Sequence, residues 1–283
     1  MTDIGVAIST TGDEHRLGFL ETCVRQWCEI PDVHSLFVTV DGDAEAARRV
    51  AEAVYEHTGS VYRVGQPRWS VSPFNGRMGV AVNKNTGLEL LMDVDRVKHL
   101  FLCDDDTWPL NPLGVNRHVE GDLNHSMLCW GDSRLMARHQ HYASWSWPRG
   151  VLLYSRREVV ETAGGMDERF KGGHEHVEWS RRIHQHGLTP EPFVTPLVYA
   201  ETGIMGKATR ASSFWHCEDM RRRGETVAEH RLRRKQITSL SRKNRDWETA
   251  ERVLVERDGD TSFVPYRSTS NGRLPATLTA HSA

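Results

Sequence analysis

No stretch of this 283-residue chain holds about 18 apolar residues in a row, so no membrane-spanning helix is expected. Cysteine is scarce and odd in number. Cys23, Cys28, Cys103, Cys129 and Cys217 show no CxxC spacing, and reduced thiols in a cytosolic compartment are the simplest account. Net charge is almost absent: 36 Lys and Arg stand against 38 Asp and Glu, a formal -2. The molecule as a whole is therefore no general electrostatic trap for nucleic acid. The opening "MTDIGVAIST" lacks a basic n-region and runs straight into a strand pattern, so no signal peptide is expected and the location is read as cytoplasmic. Large apolar residues become few from about Asp258, and the last ten to fifteen residues are expected to be disordered. No internal repeat is visible.

What is present is an alternation of strand and helix patterns. Ile4 to Ser9 is β-rich, and Leu17, Leu20, Val24 and Trp27 then repeat at helical spacing. Leu36 to Val40 reads as a second strand ending at Asp41-Gly42. "DAEAARRVAEAVYEH" carries Ala47, Val50, Ala51 and Val54 on one stripe, with Gly59 placed to end the helix. Ser60 to Val64 is expected to be a third strand, "NTGLELLMDV" a helix, and Val97 to Cys103 a strand buried on both faces. This order argues for βαβ units and a mostly parallel sheet in an α/β fold. Further on, Val151 to Tyr154 reads as a strand. Ser155 to Glu158 reads as a capping box opening a short helix that Gly164-Gly165 ends. Val177 to His186 reads as a helix closed by Gly187.

The chemistry is expected beyond the C-terminal strand ends of such a sheet. Three of those ends carry suitable groups: Thr10, Thr11 and Asp13 after the first, Asp41 after the second, and Asp104, Asp105 and Asp106 after the fourth. Three adjacent carboxylates repel one another unless positive charge sits among them. On an extended segment Asp104 and Asp106 face one ligand while Asp105 points elsewhere. Two carboxylates with open positions suit Mg2+ or Mn2+ bound together with substrate phosphates.

The stretch "NGRMGVAVNKNTGLELLMDVDRVKHLFLCDDDTWP" resembles the core of nucleotide-sugar-dependent glycosyltransferases of the GT-A fold, in their family-2-like form. There a G-x-a-x-[RK]-N-x-G segment, a short helix and a strand lead into a D-x-D motif. Gly79, Lys84, Asn85, Gly87 and Asp104-Asp105-Asp106 match in order and spacing. "TAGGMDERFKGGHEHVEWSRRIHQHG" is similar to the family's later G-G-[FM]-D-E-x-F and G-x-E-D-x-[DE]-x-x-x-R segments. The resemblance runs from about Ile4 to Pro192 and implies a Rossmann-like GT-A sheet and a nucleotide diphospho-sugar donor, a UDP-sugar first among candidates. It implies that Thr10 and Asp41 hold base and ribose, that Arg77 and Lys84 lie near the diphosphate, and that Asn85, Asp104 and Asp105 belong to the substrate-binding set. Asp104 and Asp106 would hold Mn2+ or Mg2+, with His216 of "SSFWHCEDM" as a third ligand. The family has Glu-Asp where this chain has Glu175-His176; the base is expected to be Glu175 ahead of His176, with Glu178 an alternative, and the anomeric outcome stays open because a retaining enzyme needs no base there. A nucleotidyltransferase, the rival enzyme class, carries a Gly-rich, Lys/Arg-containing loop after its first strand, where this chain has "TTGDEHR". A catalytically dead nucleotide-sugar binder need not keep three repelling aspartates.

Trp145 and Trp147 in "YASWSWPRG" are candidate platforms for a sugar or a base. From Arg221 to Arg245 ten Lys and Arg stand against two Glu, a local +8. A solvated helix face is the plain account of such a run; a polyanion such as DNA is the other. A hydroxymethylated DNA base is therefore one candidate acceptor, beside protein, glycan and small-molecule hydroxyls. Three parts are expected: a GT-A domain over 1–220, a basic helical extension over 221–257, and a partly disordered tail over 258–283.

Overall fold

A computed structural model describes residues 3–58, 68–73, 78–129, 135–196, 214–217 and 245–267, with backbone alone for 55–58, 68–73 and 245–247. Its centre is a six-stranded sheet, and the first four strands are parallel neighbours. These are β1 (Ile4–Thr10), β2 (Val33–Val40), β3 (Arg68–Pro73) and β4 (His99–Asp104). β9 (Leu152–Arg156) then runs antiparallel to β4, and β6 (His125–Met127) antiparallel to β9. The order across the sheet is β3-β2-β1-β4-β9-β6. Every residue of β1 is buried, as expected of a central strand covered on both faces.

Helices cover both faces. α1 (Leu17–Cys28) and α2 (Ala44–Thr58) lie on one side, where Leu20, Val24, Trp27, Val50 and Val54 join Ile4, Val6 and Ile8 in one core cluster. α3 (Val80–Met92) lies on the other, with Leu88 and Leu91 packed among Ala7, Leu100 and Leu102. α3 is buried nearly all round, including Asn83, Lys84, Asn85 and Thr86. Gly87 lets it approach so closely that a Cβ there would stand 2.6 Å from the Ala7 Cβ. That approach holds Lys84, one turn back, against the strand ends.

Smaller elements frame the C-terminal edge. β5 (Thr107–Pro109) pairs with β11 (Trp215–Cys217), and β8 (Tyr142–Trp145) lies between β7 (Leu135–Arg138) and β10 (Val194–Pro196). α4 (Pro112–Val119), α5 (Arg157–Ala163) and α6 (Glu175–Gln185) follow their expected neighbours. Beyond them α7 (Arg245–Glu256) buries Ala250 and Val253 in the α3 core cluster. Residues 257–267 run back over α5 and α6: the Gly165 N–H donates to the Val264 carbonyl, and Arg257 meets the buried Glu178 carboxylate at 3.3 Å.

The expected α/β sheet is present, with three differences of detail. The third strand is Arg68–Pro73, and the Ser60 to Val64 run falls outside the described residues. α3 begins at Val80 rather than Asn85, because a helix buried on all sides shows no amphipathic stripe to mark its start. Ser155 does not cap a helix. It belongs to β9, paired with Leu100 on one side and His125 on the other, and α5 starts after Arg156 without a side-chain cap. Most of the basic run, residues 218–244, also falls outside the described residues, as do residues 268–283 and Arg77. No described helix is long and apolar enough to cross a membrane.

Candidate active site

The three aspartates after β4 do not share one fate. Asp105 turns inward and is 1% exposed. It accepts from the Thr10 hydroxyl at 2.6 Å and from Arg16 Nε at 2.8 and 2.9 Å, and pairs with Arg16 Nη2. Arg16 also reaches Asp106 Oδ2 at 3.1 Å. The positive charge required among the carboxylates thus comes from "TTGDEHR", the loop after β1. Hydrogen bonding to Asp105 raises the proton affinity of Arg16 further, so its charge is permanent. Asp104 is two-thirds covered, with Lys84 Nζ 3.6 Å away.

Lys84 is the hub of a second charge cluster. Its ammonium donates to Glu175 Oε1 at 3.0 Å and to the Gly150 carbonyl at 2.7 Å, and it is 1% exposed. Burial alone would drive such a lysine neutral; Asp104 and Glu175 outweigh that and hold it above its ordinary range. Glu175, also 1% exposed, shows the mirror balance. Burial pushes its carboxyl up, but Lys84 and then His176 pull it well below the usual carboxylate range. Asp104 is raised, because burial and the carboxylates of Asp105 and Glu175 exceed the pull of Lys84. One oxygen of Glu175, Oε2, is buried with no hydrogen-bond partner.

The two segments singled out by sequence lock together here. The Asn85 amide donates to the Met166 carbonyl and accepts from the Met166 N–H, both at 2.8 Å. The Val80 and Ala81 N–H groups at the start of α3 donate to the Lys171 and Phe170 carbonyls. Gly79 sits at φ 106, where a Cβ would stand 2.7 Å from the Lys171 Cα, so both the backbone angle and the contact require glycine. Asp41 accepts from the Met78 and Gly79 N–H groups and anchors the same corner. Thr10, Asp41 and Asn85 are thus engaged in shaping the mouth.

The aromatic candidates separate. Trp145 is 6% exposed and packs in the core with Phe193 and Trp179, so its bulk is structural. Trp147 is 40% exposed and meets the His174 ring edge-on at 5.4 Å, beside Glu175 and His176. His216 lies on β11 opposite Trp108 and stacks on that indole at 4.0 Å. It does not join Asp104 and Asp106: among the described residues no three His, Cys, Asp or Glu side chains come together as a metal site.

The donor set still fits a divalent ion in a leaner arrangement. Around the mouth Asp104, Asp105, Asp106 and Glu175 face the two described cations Arg16 and Lys84, which leaves negative charge in excess. These carboxylates repel a dianionic diphosphate, and a divalent cation offsets that repulsion. Mg2+ and Mn2+ need only one or two carboxylates when substrate oxygens complete the shell. Asp104 and Asp106 are the pair the fold offers.

Sequence reasoning missed Arg16 and Gly150. The like-charge argument demanded a cation beside the aspartates, but its source is 89 residues away along the chain. His174 at φ 71 was also unforeseen; it is the non-glycine residue with positive φ among those described, and it delivers Glu175 to the start of α6.

No family model matches the sequence, and no curated protein matches it either. Solved structures with a similar course of the chain include a mannosyltransferase from Pyrobaculum calidifontis in complex with GDP-Man and Mn2+. It is 13% identical over 66% of this chain and 53% of that one, at a TM-score of 0.47. TarS 1–349 of S. aureus in complex with UDP is 12% identical over 65% of this chain and 55% of that one, at 0.46. The catalytic domain of Drosophila beta1,4-galactosyltransferase 7 in complex with xylobiose is 18% identical over 68% and 65%, at 0.40. This chain thus spans roughly half to two thirds of the length of the structures it matches.

Proposed function

We propose that this protein transfers a sugar from a nucleotide diphospho-sugar to an acceptor hydroxyl. The observation that carries this reading is the joining of the two resembling segments at one strand edge. Lys84 of the first and Glu175 of the second meet at 3.0 Å beside Asp104, at the C-terminal end of a central strand. Charge develops on the departing diphosphate as its bond to the anomeric carbon breaks. Arg16 and Lys84, fixed in a half-dry mouth by their carboxylate partners, are already oriented when that charge appears. Asp104 and Asp106 would hold Mn2+ or Mg2+, which supplies neutralisation of the leaving group. Trp147 offers an exposed aromatic face for the acceptor beside His174.

The basic run from Arg221 to Arg245 makes hydroxymethylated duplex DNA the first acceptor to try. The test incubates a panel of nucleotide sugars with Mn2+, with and without that DNA, and follows nucleoside diphosphate and base mass. Nucleoside diphosphate release is expected, and removal of divalent ions by a chelator is expected to cut it by about 10²-fold or more. Release that rises with DNA, with mass added to its bases, identifies the acceptor. Release indifferent to DNA leaves protein, glycan or small-molecule hydroxyls. Pyrophosphate from nucleoside triphosphates, or no turnover of any donor, contradicts the reading.

A further inference from the structure

We propose that Arg16 competes with the divalent ion for Asp106 and, once displaced from that carboxylate, turns to the diphosphate, so that metal and nucleotide bind cooperatively through this one side chain. The proposal rests on the sugar-transfer reading above. It makes the middle aspartate, Asp105, the tether of Arg16 rather than the donor contact expected from sequence.

One arm of Arg16 is fixed. The guanidinium lies side-on against Asp105, with Nε donating to the two carboxylate oxygens at 2.8 and 2.9 Å and Nη2 pairing with Oδ1. Asp105 is held in turn by the Thr10 hydroxyl at the end of β1, at 2.6 Å. The backbone is anchored as well. Arg16 closes a 3-10 turn, Glu14–Arg16, and its N–H donates to the Asp13 carbonyl at 2.9 Å. The other arm is exchangeable. Nη2 has a second hydrogen, which meets Asp106 Oδ2 at 3.1 Å, and Nη1 donates to no described residue. Asp105 is 1% exposed, whereas Asp106 is 15% and Arg16 29% exposed. The inner contact is therefore sealed, and the outer one lies where a ligand can reach it.

The other oxygen of Asp106, Oδ1, accepts from the Thr107 hydroxyl at 3.4 Å. A dication on either oxygen stands beside a guanidinium that never loses its charge, and two cations repel at that range. Arg16 thus lowers the affinity of Asp106 for the metal alone. A diphosphate reverses the balance. Its oxygens help to complete the shell of the metal, and they accept the outer N–H groups that Asp106 gives up. A guanidinium suits that exchange, because its planar fork keeps one edge on Asp105 while presenting the other to phosphate oxygens. Each ligand then favours the other by the same factor, as linkage requires. Lys84 has no such free arm: its ammonium is buried against Glu175 and the Gly150 carbonyl, with Asp104 at 3.6 Å.

The experiment uses the full chain and reads binding rather than turnover. Free Mn2+ is followed by its solution EPR signal in titrations with and without UDP or GDP, and each nucleotide is titrated calorimetrically with and without Mn2+. In the wild type, Mn2+ is expected to bind at least about fivefold tighter when the nucleotide is present. Arg16→Gln is expected to tighten Mn2+ alone by about fivefold or more and to weaken the nucleotide alone by about threefold or more, so the coupling shrinks. A side chain that merely supported the loop would weaken both ligands when lost, so the opposite signs carry the test. Arg16→Gln with Asp105→Asn removes the buried anion that the single variant strands and keeps an acceptor for Thr10. It is expected to show the same two signs, and it decides the matter where the single variant fails to fold. Weaker or unchanged Mn2+ binding, or an unchanged coupling factor, overturns the role of Arg16 and leaves the wild-type metal and donor site standing. No wild-type binding of Mn2+, or of either nucleotide, overturns both.

Discussion

Lys84→Met is expected to lower stability by about 3 to 5 kcal/mol, because it strands two carboxylates around a buried site rather than merely deleting a bond. Lys84 and Glu175 each expose 2% of their side chains, and Asp104 stands 3.6 Å from the same ammonium. With the cation gone, Glu175 keeps only the His176 ring beside it and must stay charged in a buried site or take up a proton it otherwise refuses. The melting temperature of a chain this size should fall by roughly 6 to 15 °C. Thermal melts of the single variant and of Lys84→Met with Glu175→Leu separate the causes. The double variant is expected to regain much of the loss, since replacing a whole buried pair is often near neutral. A single variant that melts with wild type would show that the pair is not buried as described.

The second large effect is acid sensitivity well above the carboxylate range. His118 and His125 are 2% and 0% exposed, and burial pushes each from 6.5 down to about 3. His118 Nδ1 pairs with the Ser126 hydroxyl, His125 Nε2 with the Ser180 hydroxyl, and both rings sit among aromatic neighbours. The unfolded chain takes up protons at these sites below pH 6.5 while the folded chain does not until about 3. Their contribution is thus complete above 6.5 and is lost progressively as pH falls toward 3. By pH 5 each costs about 2 kcal/mol, roughly 4 kcal/mol together. His99 and His174, also lowered chiefly by burial, act in the same direction. Glu175 adds its loss only below its unfolded value of about 4.5, so histidines dominate the range from 6.5 to 5. Urea midpoints at pH 7.5 and pH 5 measure this. Equal midpoints would mean the two rings are not held neutral in the fold.

How far these features were legible in the sequence depends on what fixes them. β1, β2 and β4 announce themselves as short apolar runs, and their acidic ends place the candidate chemistry at one sheet edge. The runs of three or four residues that make β5, β6, β7, β8, β10 and β11 carry no pattern of their own; pairing partners elsewhere in the chain create them. The same holds for the site. Asp104, Asp105 and Asp106 were visible as a cluster, but their separate fates were set by Arg16 and Lys84, which reach them from distant segments. Glu175-His176 stood out as a departure from the resembled pattern. That the two side chains meet, with the carboxylate pinned by Lys84, follows only once α3, α6 and the Gly150 loop are brought together.

The claim on which the rest depends is that the mouth around Asp104 and Asp106 takes a nucleoside diphosphate with a divalent ion. Calorimetric titration of UDP and of GDP into the full chain with Mn2+ tests it without any need to know the acceptor. Saturable binding of one of the two is predicted, weakened at least about tenfold, or 1.4 kcal/mol, by Asp106→Asn and by omission of the metal. No saturable heat with either nucleotide, or binding indifferent to both Asp106→Asn and the metal, would contradict the account.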